Sequence, residues 1–411
     1  MMMRRILCIF GLLATLVSCV RIETYGGKDE RIGFDTYALR STKAGSTYVG
    51  GSTTSTSNIP INGQFGVFAY FHPGNDTGTP ATSTVGAWDN TNVRNNLSNM
   101  LLNECVTRVS PSEGTYAYTY TNTRYWPKSQ YDRISFFAYY PYAANAFVEN
   151  ATNDDTGITL RAPGDAFVPY SQDPYGFPRF RFVVNPDATK QVDFMISDMC
   201  LNQSKQAGVL TGPDDDVQFT FRHMLSQIRI KAVGVQKEND AVTVSDIQFK
   251  FIGVPVSGIV TPSIPSIPNP IGNGLATMNY NWSNFNTANS EFTTRIYDDA
   301  DTTEGADARR QEAIMLMIPH TFSTDPGKDI AEVTFTVTRE DYDNRGESYT
   351  YQGKQTVSLA AGELTEWLPN KIYNYTIKVT LKAVEFSVKV EDWPAASADA
   401  LIKVDLESNT Q

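Results

Sequence analysis

Histidine, cysteine and clustered positive charge are all scarce in this chain of 411 residues, and each scarcity removes a class of function. Only three histidines occur, and none stands in an H-E-x-x-H pattern or a Cys/His ligand spacing, so the common zinc centres are excluded. Lys and Arg number 34 against 45 Asp and Glu, a net charge of −11, with no basic cluster of the kind a nucleic-acid backbone requires. A nucleophile elbow, a phosphate-binding glycine loop and a carboxylate pair spaced for acid–base work are all missing, so neither catalysis nor a metal is expected. Asp214, Asp215 and Asp216 cluster in a turn and read as a solvated loop, with a weak calcium site as the alternative. Beyond the N-terminus no run is long and apolar enough to cross a bilayer, and helical periodicity scarcely appears.

What is present begins with a leader. Arg4 and Arg5 precede an apolar stretch from Ile6 to Val17, too short to span a membrane and typical of a signal peptide. The segment Leu16-Val17-Ser18-Cys19 resembles a bacterial lipobox, in which the small residue before the cysteine admits the signal peptidase and the thiol receives diacylglycerol. Several acyl chains on Cys19 would hold the protein firmly, because each buried CH₂ contributes about 0.8 kcal/mol. No cofactor beyond that covalent lipid is expected. Of the other cysteines, Cys8 leaves with the leader. Cys105 and Cys200 either pair in an oxidising envelope or remain as two buried thiols, and no C-x-x-C suggests redox work.

The body reads as strands. In "INGQFGVFAYF" Ile61, Phe65, Val67 and Phe71 share a face, and "RISFFAYYPY" groups Ile134, Phe136, Ala138 and Tyr140. "AEVTFTVTRE" repeats the pattern with Val333, Phe335 and Val337. One exception is "NNLSNMLLNECV", where Leu97, Met100 and Leu101 suit a short helix. Strands without helical crossovers point to an all-β chain of antiparallel sandwiches. In "VQFTFRHMLSQIRIKA" the apolar face shifts parity after Leu225, which predicts a bulge or bend near Ser226-Gln227 with His223 facing inward. Tyr373 to Val390 is too long for one strand and is expected to be two, meeting near Ala383.

Small polar residues fill 41–58, as a mobile, cleavable linker would require. Residues 202–216 form the best domain border, and the proline-rich 262–274 suits a loop or an irregular edge. The expected organisation is a signal peptide over 1–18 and a tether with first strand and linker over 19–58. An N-terminal β-sandwich over 59–210 and a C-terminal β-sandwich over 211–411 follow.

The lipobox, "RIGFDTY", "QFGVFAY", "YWPKSQYDRISFFAYYPY", "QVDFMISD", "FTFRHMLSQIRI" and "YNYTIKVTL…VEFSVKVEDW" occur in that order. Together they resemble the fimbrillin family, the lipoprotein-derived pilins of Bacteroidetes, over most of the mature chain. The resemblance implies two transthyretin-like antiparallel β-sandwich domains in tandem and delivery to the cell outer membrane through lipid on Cys19. It further implies that an arginine-specific protease removes the first strand, and that a neighbouring pilin subunit fills the vacated groove with its C-terminal strand. The outgoing strand is then Arg31 to Tyr37, with Ile32 and Phe34 inward. The cut falls at Arg40-Ser41, with Lys43-Ala44 as the alternative. The incoming strand lies at 399–407, where Ile402, Val404 and Leu406 share one face. The other reading is a monomeric or anchor-type surface lipoprotein that binds host protein or glycan. Tyr116, Tyr118, Tyr120, Tyr125, Trp126, Tyr139 and Tyr142 would then stack on sugar, or would be ordinary sheet residues.

Overall fold

The computed structural model describes residues 31–38, 59–74, 97–110, 117–147, 156–161, 176–234, 242–263, 274–287, 291–295, 312–341, 347–359, 364–379, 384–392 and 397–398, apart from 145, 209, 211–215 and 326 within those spans. No α-helix occurs among the described residues, so the all-β expectation holds.

The largest sheet runs in the order β1 (Gly33–Ala38), β10 (Asp216–His223), β8 (Met195–Ser197), β5 (Arg133–Tyr140), β2 (Gln64–His72), β3 (Leu101–Val109) and β4 (Ala117–Tyr120). Two short strands, β9 (Met199–Gln203) and β14 (Gly274–Ala276), extend it beside β5. A second sheet contains β15 (Asn279–Asn286), β13 (Ser257–Ser263), β7 (Arg179–Val183) and β6 (Ile158–Arg161). A third contains β17 (Glu312–Met317), β11 (Ser226–Gly234), β22 (Lys371–Val379), β23 (Val384–Asp392) and β24 (Ser397–Ala398). The fourth holds β16 (Glu291–Arg295), β12 (Val242–Ile252), β19 (Ile330–Asp341) and β20 (Glu347–Ser358), and β18 (His320–Thr321) pairs with β21 (Glu366–Trp367). Two pairs are parallel, β1 with β10 and β11 with β22, each joining strands far apart in sequence. Strands from both sides of residue 211 share sheets, because β10 pairs with β8 and β13 pairs with β7.

The core explains the composition of the central strands. Every residue of β5, and every residue of β2 after Gln64, is buried. Alternate side chains therefore serve two cores. Phe65, Val67, Ala69 and Phe71 of β2, with Ile134, Phe136, Ala138 and Tyr140 of β5, enter a cluster enclosed by the large sheet itself. Phe68, Tyr70, Phe137 and Tyr139 point the other way, where Phe137 and Tyr139 meet Phe180 of the second sheet at 6.1 and 5.1 Å between ring centroids. The expected shared faces of β2 and β5 are present with one change. Ile61 is 44% exposed, and Ile59, wholly buried, takes the place before β2.

One local expectation is corrected and a second is narrowed. Leu97 to Leu101 is not helical: β3 begins at Leu101 and pairs with Ala69, while Asn99 Oδ1 accepts the Phe71 amide and ties this segment to the end of β2. The parity shift after Leu225 is met by the bend and not by a bulge within one strand. β10 ends at His223, Met224 donates its amide to the Phe194 carbonyl, and the chain bends at Leu225 into β11 of a different sheet. Each half keeps its own inward face, which is why the apolar pattern changes parity. By contrast, the two strands expected over Tyr373 to Val390 are present as β22 and β23, and they pair antiparallel with Val379 opposite Val384.

Gly66 on β2 marks a close approach between strands inside the core. A Cβ there would lie 2.2 Å from Tyr139 Cε1 and 2.6 Å from Asn103 Oδ1. Neither neighbour can retreat easily, because the Tyr139 hydroxyl donates to Asn103 Oδ1 at 2.7 Å inside the core. Gly66→Ala is expected to cost about 1–3 kcal/mol, read as a lower urea midpoint. At the end of the same strand, burial lowers the His72 imidazole from 6.5 to about 4. The folded chain then holds His72 neutral while the unfolded chain takes up a proton below 6.5. Stability is fully present above that value and falls as pH drops towards 4, by roughly 2 kcal/mol at pH 5. Urea titrations at pH 7.5 and 5 should show this loss, and His72→Gln should shrink it.

Candidate functional site

The site of interest is built around β1. Its side chains alternate as the sequence pattern predicts: Ile32, Phe34 and Thr36 are buried, and Arg31 is exposed. On one side β1 runs parallel to β10, with Gly33 opposite Asp216, Phe34 opposite Val217 and Asp35 opposite Gln218. On the other side the chain entering β1 is fastened to β4 and the segment after it. The Ile32 amide donates to the Arg124 carbonyl at 2.9 Å, and the Tyr120 hydroxyl donates to the Ile32 carbonyl at 2.8 Å. An antiparallel bridge joins Arg31 to Tyr125, and the Arg31 guanidinium lies 4.9 Å above the Tyr120 ring. Thus β1 closes the large sheet, spanning the gap between β10 and β4.

Beneath it, Phe34 occupies an aromatic cage. Its ring is 5.2 Å from Tyr120, 5.7 Å from Phe219 in a stacked arrangement, and 6.0 Å edge-on to Phe136. Trp126 in turn packs edge-on to Phe136 at 5.9 Å. Polar fasteners line the slot: Thr36 Oγ1 and the Tyr118 hydroxyl are 2.7 Å apart, and Gln218 Nε2 donates to Asp35 Oδ2 at 3.0 Å. Burial pushes the Tyr120 hydroxyl above its ordinary pKa, so it remains protonated and able to donate at any physiological pH. At Gly33 an added Cβ would stand 1.7 Å from Asp216 Oδ1, so any larger residue there must displace that carboxylate.

The predicted inward residues Ile32 and Phe34 therefore meet in one core. Cys19, Arg40, Ser41, Lys43, Ala44, Ile402, Val404 and Leu406 lie outside the described residues, as do Tyr116, Asp214 and Asp215. Among the aromatics considered for sugar stacking, Trp126 and Tyr139 are wholly buried and Tyr120 is 9% exposed, so these three are core residues. Cys105 and Cys200 are both free thiols, and Cys200 Sγ donates to the Gln218 carbonyl beside the slot. His223 faces inward as expected, its Nδ1 2.9 Å from Asp193 Oδ1. Among the described residues no group of three or more His, Cys, Asp or Glu could hold a metal. The sequence pattern did not single out Thr36, Arg124 or Gln218, and it marked Tyr118 and Tyr120 only as aromatics for sugar stacking. The period-two continuation from Ile32 and Phe34 to Thr36 was the available signal for the first of these.

A family model described as fimbrillin-like matches residues 52–393, more than three quarters of the chain. This chain belongs to the fimbrillin-like family. The fimbrillin-like chain is also 31% identical over 198 residues to the Fimbrium subunit Fim1C of Phocaeicola vulgatus, a match covering 48% of this chain and 42% of that relative. The match thus spans less than half the length of that relative. A solved structure of a fimbrial protein from Bacteroides vulgatus shares the fold, with a TM-score of 0.53 at 18% identity, covering 89% of this chain and 99% of that one.

The cage predicts a graded response in the fimbrillin-like chain. Phe34→Ala should cost about 3–5 kcal/mol, the usual range for an emptied buried aromatic site. Thr36→Val, which removes one hydrogen bond, should cost about 1 kcal/mol. Hydrogen exchange at the β10 amides measures both, as faster opening in that order.

Proposed function

We propose that this chain is the precursor of a structural fimbrial subunit supporting adhesion, exported as an outer-membrane lipoprotein through Cys19. A cut at Arg40-Ser41, or at Lys43-Ala44, frees the first strand from the body. Other subunits then assemble by placing a C-terminal strand, residues 399–407, in the slot. The observation that carries this reading is the position of β1, a deeply buried closing strand followed directly by the Gly/Ser/Thr-rich linker over 41–58.

The energetics favour replacement over vacancy. Burying Ile32 and Phe34 contributes about 3–6 kcal/mol together, at about 1.5–3 kcal/mol for each large apolar side chain. That is a large share of the 5–15 kcal/mol typical of a folded domain. Losing β1 also strips its parallel ladder from β10, leaving an unpaired strand edge beside an apolar slot, which is a template for strand addition. No catalytic role is assigned. The burial of Trp126, Tyr139 and Tyr120 removes much of the aromatic set that a glycan-binding reading would use.

Terminal sequencing and intact mass of the surface-exposed protein test the processing step, with a mature start at Ser41 expected. A chain lacking residues 399–411 should be processed normally yet fail to polymerise. Polymer of undiminished length from that deletion would overturn the donor-strand assignment.

A further inference from the structure

The slot in β1's place is specific in residue type, and one segment of this chain matches its two apolar positions and its acid. The strand that fills it reads Ile32-Gly33-Phe34-Asp35, and the C-terminal segment contains Ile402-Lys403-Val404-Asp405. We infer that the segment from a second copy docks in the same direction as β1, parallel to its β10, with Ile402 in the place of Ile32. This rests on the donor-strand reading above and adds its register and polarity.

Three features of the slot select that arrangement. First, Ile402 repeats the residue that is wholly buried at position 32, and Val404 enters the cage of Tyr120, Phe136 and Phe219 as an apolar but smaller side chain. Second, Asp405 falls opposite Gln218, whose Nε2 already donates to the carboxylate of Asp35 at 3.0 Å. Third, Lys403 falls opposite Asp216, at the position where any Cβ forces the Asp216 carboxylate aside. A lysine there supplies an opposite charge to the displaced carboxylate, and cross-strand pairs of opposite charge are favourable whereas like charges are not. The reverse direction keeps Val404 central but exchanges its flanks. Asp405 then meets Asp216, two carboxylates in one narrow place, and Lys403 replaces the acid that Gln218 recognises. A slip by one residue is worse still, since it turns Ile402, Val404 and Leu406 out of the slot altogether.

The test uses the full chain with a protease-recognition sequence inserted between residues 41 and 58, cleaved to start assembly. Asp216→Cys combined with Lys403→Cys should give a covalent ladder under mild oxidation, about fivefold above Asp216→Cys with Asp405→Cys, because only the first pair keeps Asp405 to accept from Gln218. Asp216→Cys alone controls for Cys105 and Cys200, which are free thiols. In a chain with native Asp216 and Lys403, Val404→Phe should refill the cage and slow polymer dissociation in denaturant. A ladder preferring Asp405→Cys would overturn the polarity while leaving the donor-strand reading intact. Equal ladders from both pairs, with Val404→Phe dissociating faster than the parent, would overturn the register. Failure of the cleaved parent chain to polymerise at all would instead overturn the donor-strand reading.

Discussion

Closure of the large sheet by its first strand is the constraint on which the N-terminal core depends. A curled sheet that encloses aromatic rings leaves a seam, and here the seam lies between β10 and β4. β1 seals it with backbone pairing on one side and with Tyr120, Tyr118 and Arg124 on the other. Phe34 then completes the cage made by Tyr120, Phe136 and Phe219. A strand in this position is integral to packing although it stands at the end of the hydrogen-bonded order.

The enclosed core is not isolated. β2 and β5 present one set of side chains to it and the opposite set to the second core, so the walls of the slot are braced from behind by Phe68, Tyr70, Phe137 and Tyr139. β10 is braced in its own way. Asp198, wholly buried, receives the Arg222 guanidinium at 2.7–3.0 Å and the Met278 amide at 3.0 Å, which pins β10 to the β8–β9 turn. Its partner charge and three donors offset the cost of burying the carboxylate, and that hydrogen bonding raises the Arg222 pKa further. His223 and Asp193 repeat the arrangement one residue on. The walls that hold the first strand are therefore fixed from their far side.

The strands were legible in the sequence because alternation in a half-buried strand is a local property. β22 and β23 could be separated by length and parity alone, and Ile32 and Phe34 announced their inward face. Sheet membership was less legible. The parity shift after Leu225 has two physical causes, a bulge within one strand or a bend into another sheet, and sequence carries the same pattern for both. The segment from Leu97 to Leu101 looked helical because Leu and Met spacing is ambiguous over one turn, while the deciding bond, from the Phe71 amide to Asn99, joins residues 28 apart. The polar fasteners of the slot were hidden for the same reason: Tyr118, Arg124 and Gln218 acquire their roles only when β4 and β10 are brought to either side of β1.

Those fasteners carry a meaning that burial alone does not. Apolar contact supplies most of the binding energy of the first strand, but isoleucine, valine, leucine and phenylalanine can enter a greasy groove in several registers at little difference in free energy. A hydroxyl at Tyr118 and an amide at Gln218 are different, because each rewards one residue type at one position and leaves a polar group poorly satisfied when the strand slips. Depth therefore determines that a strand is held, and the polar rim determines which strand is held and in which register.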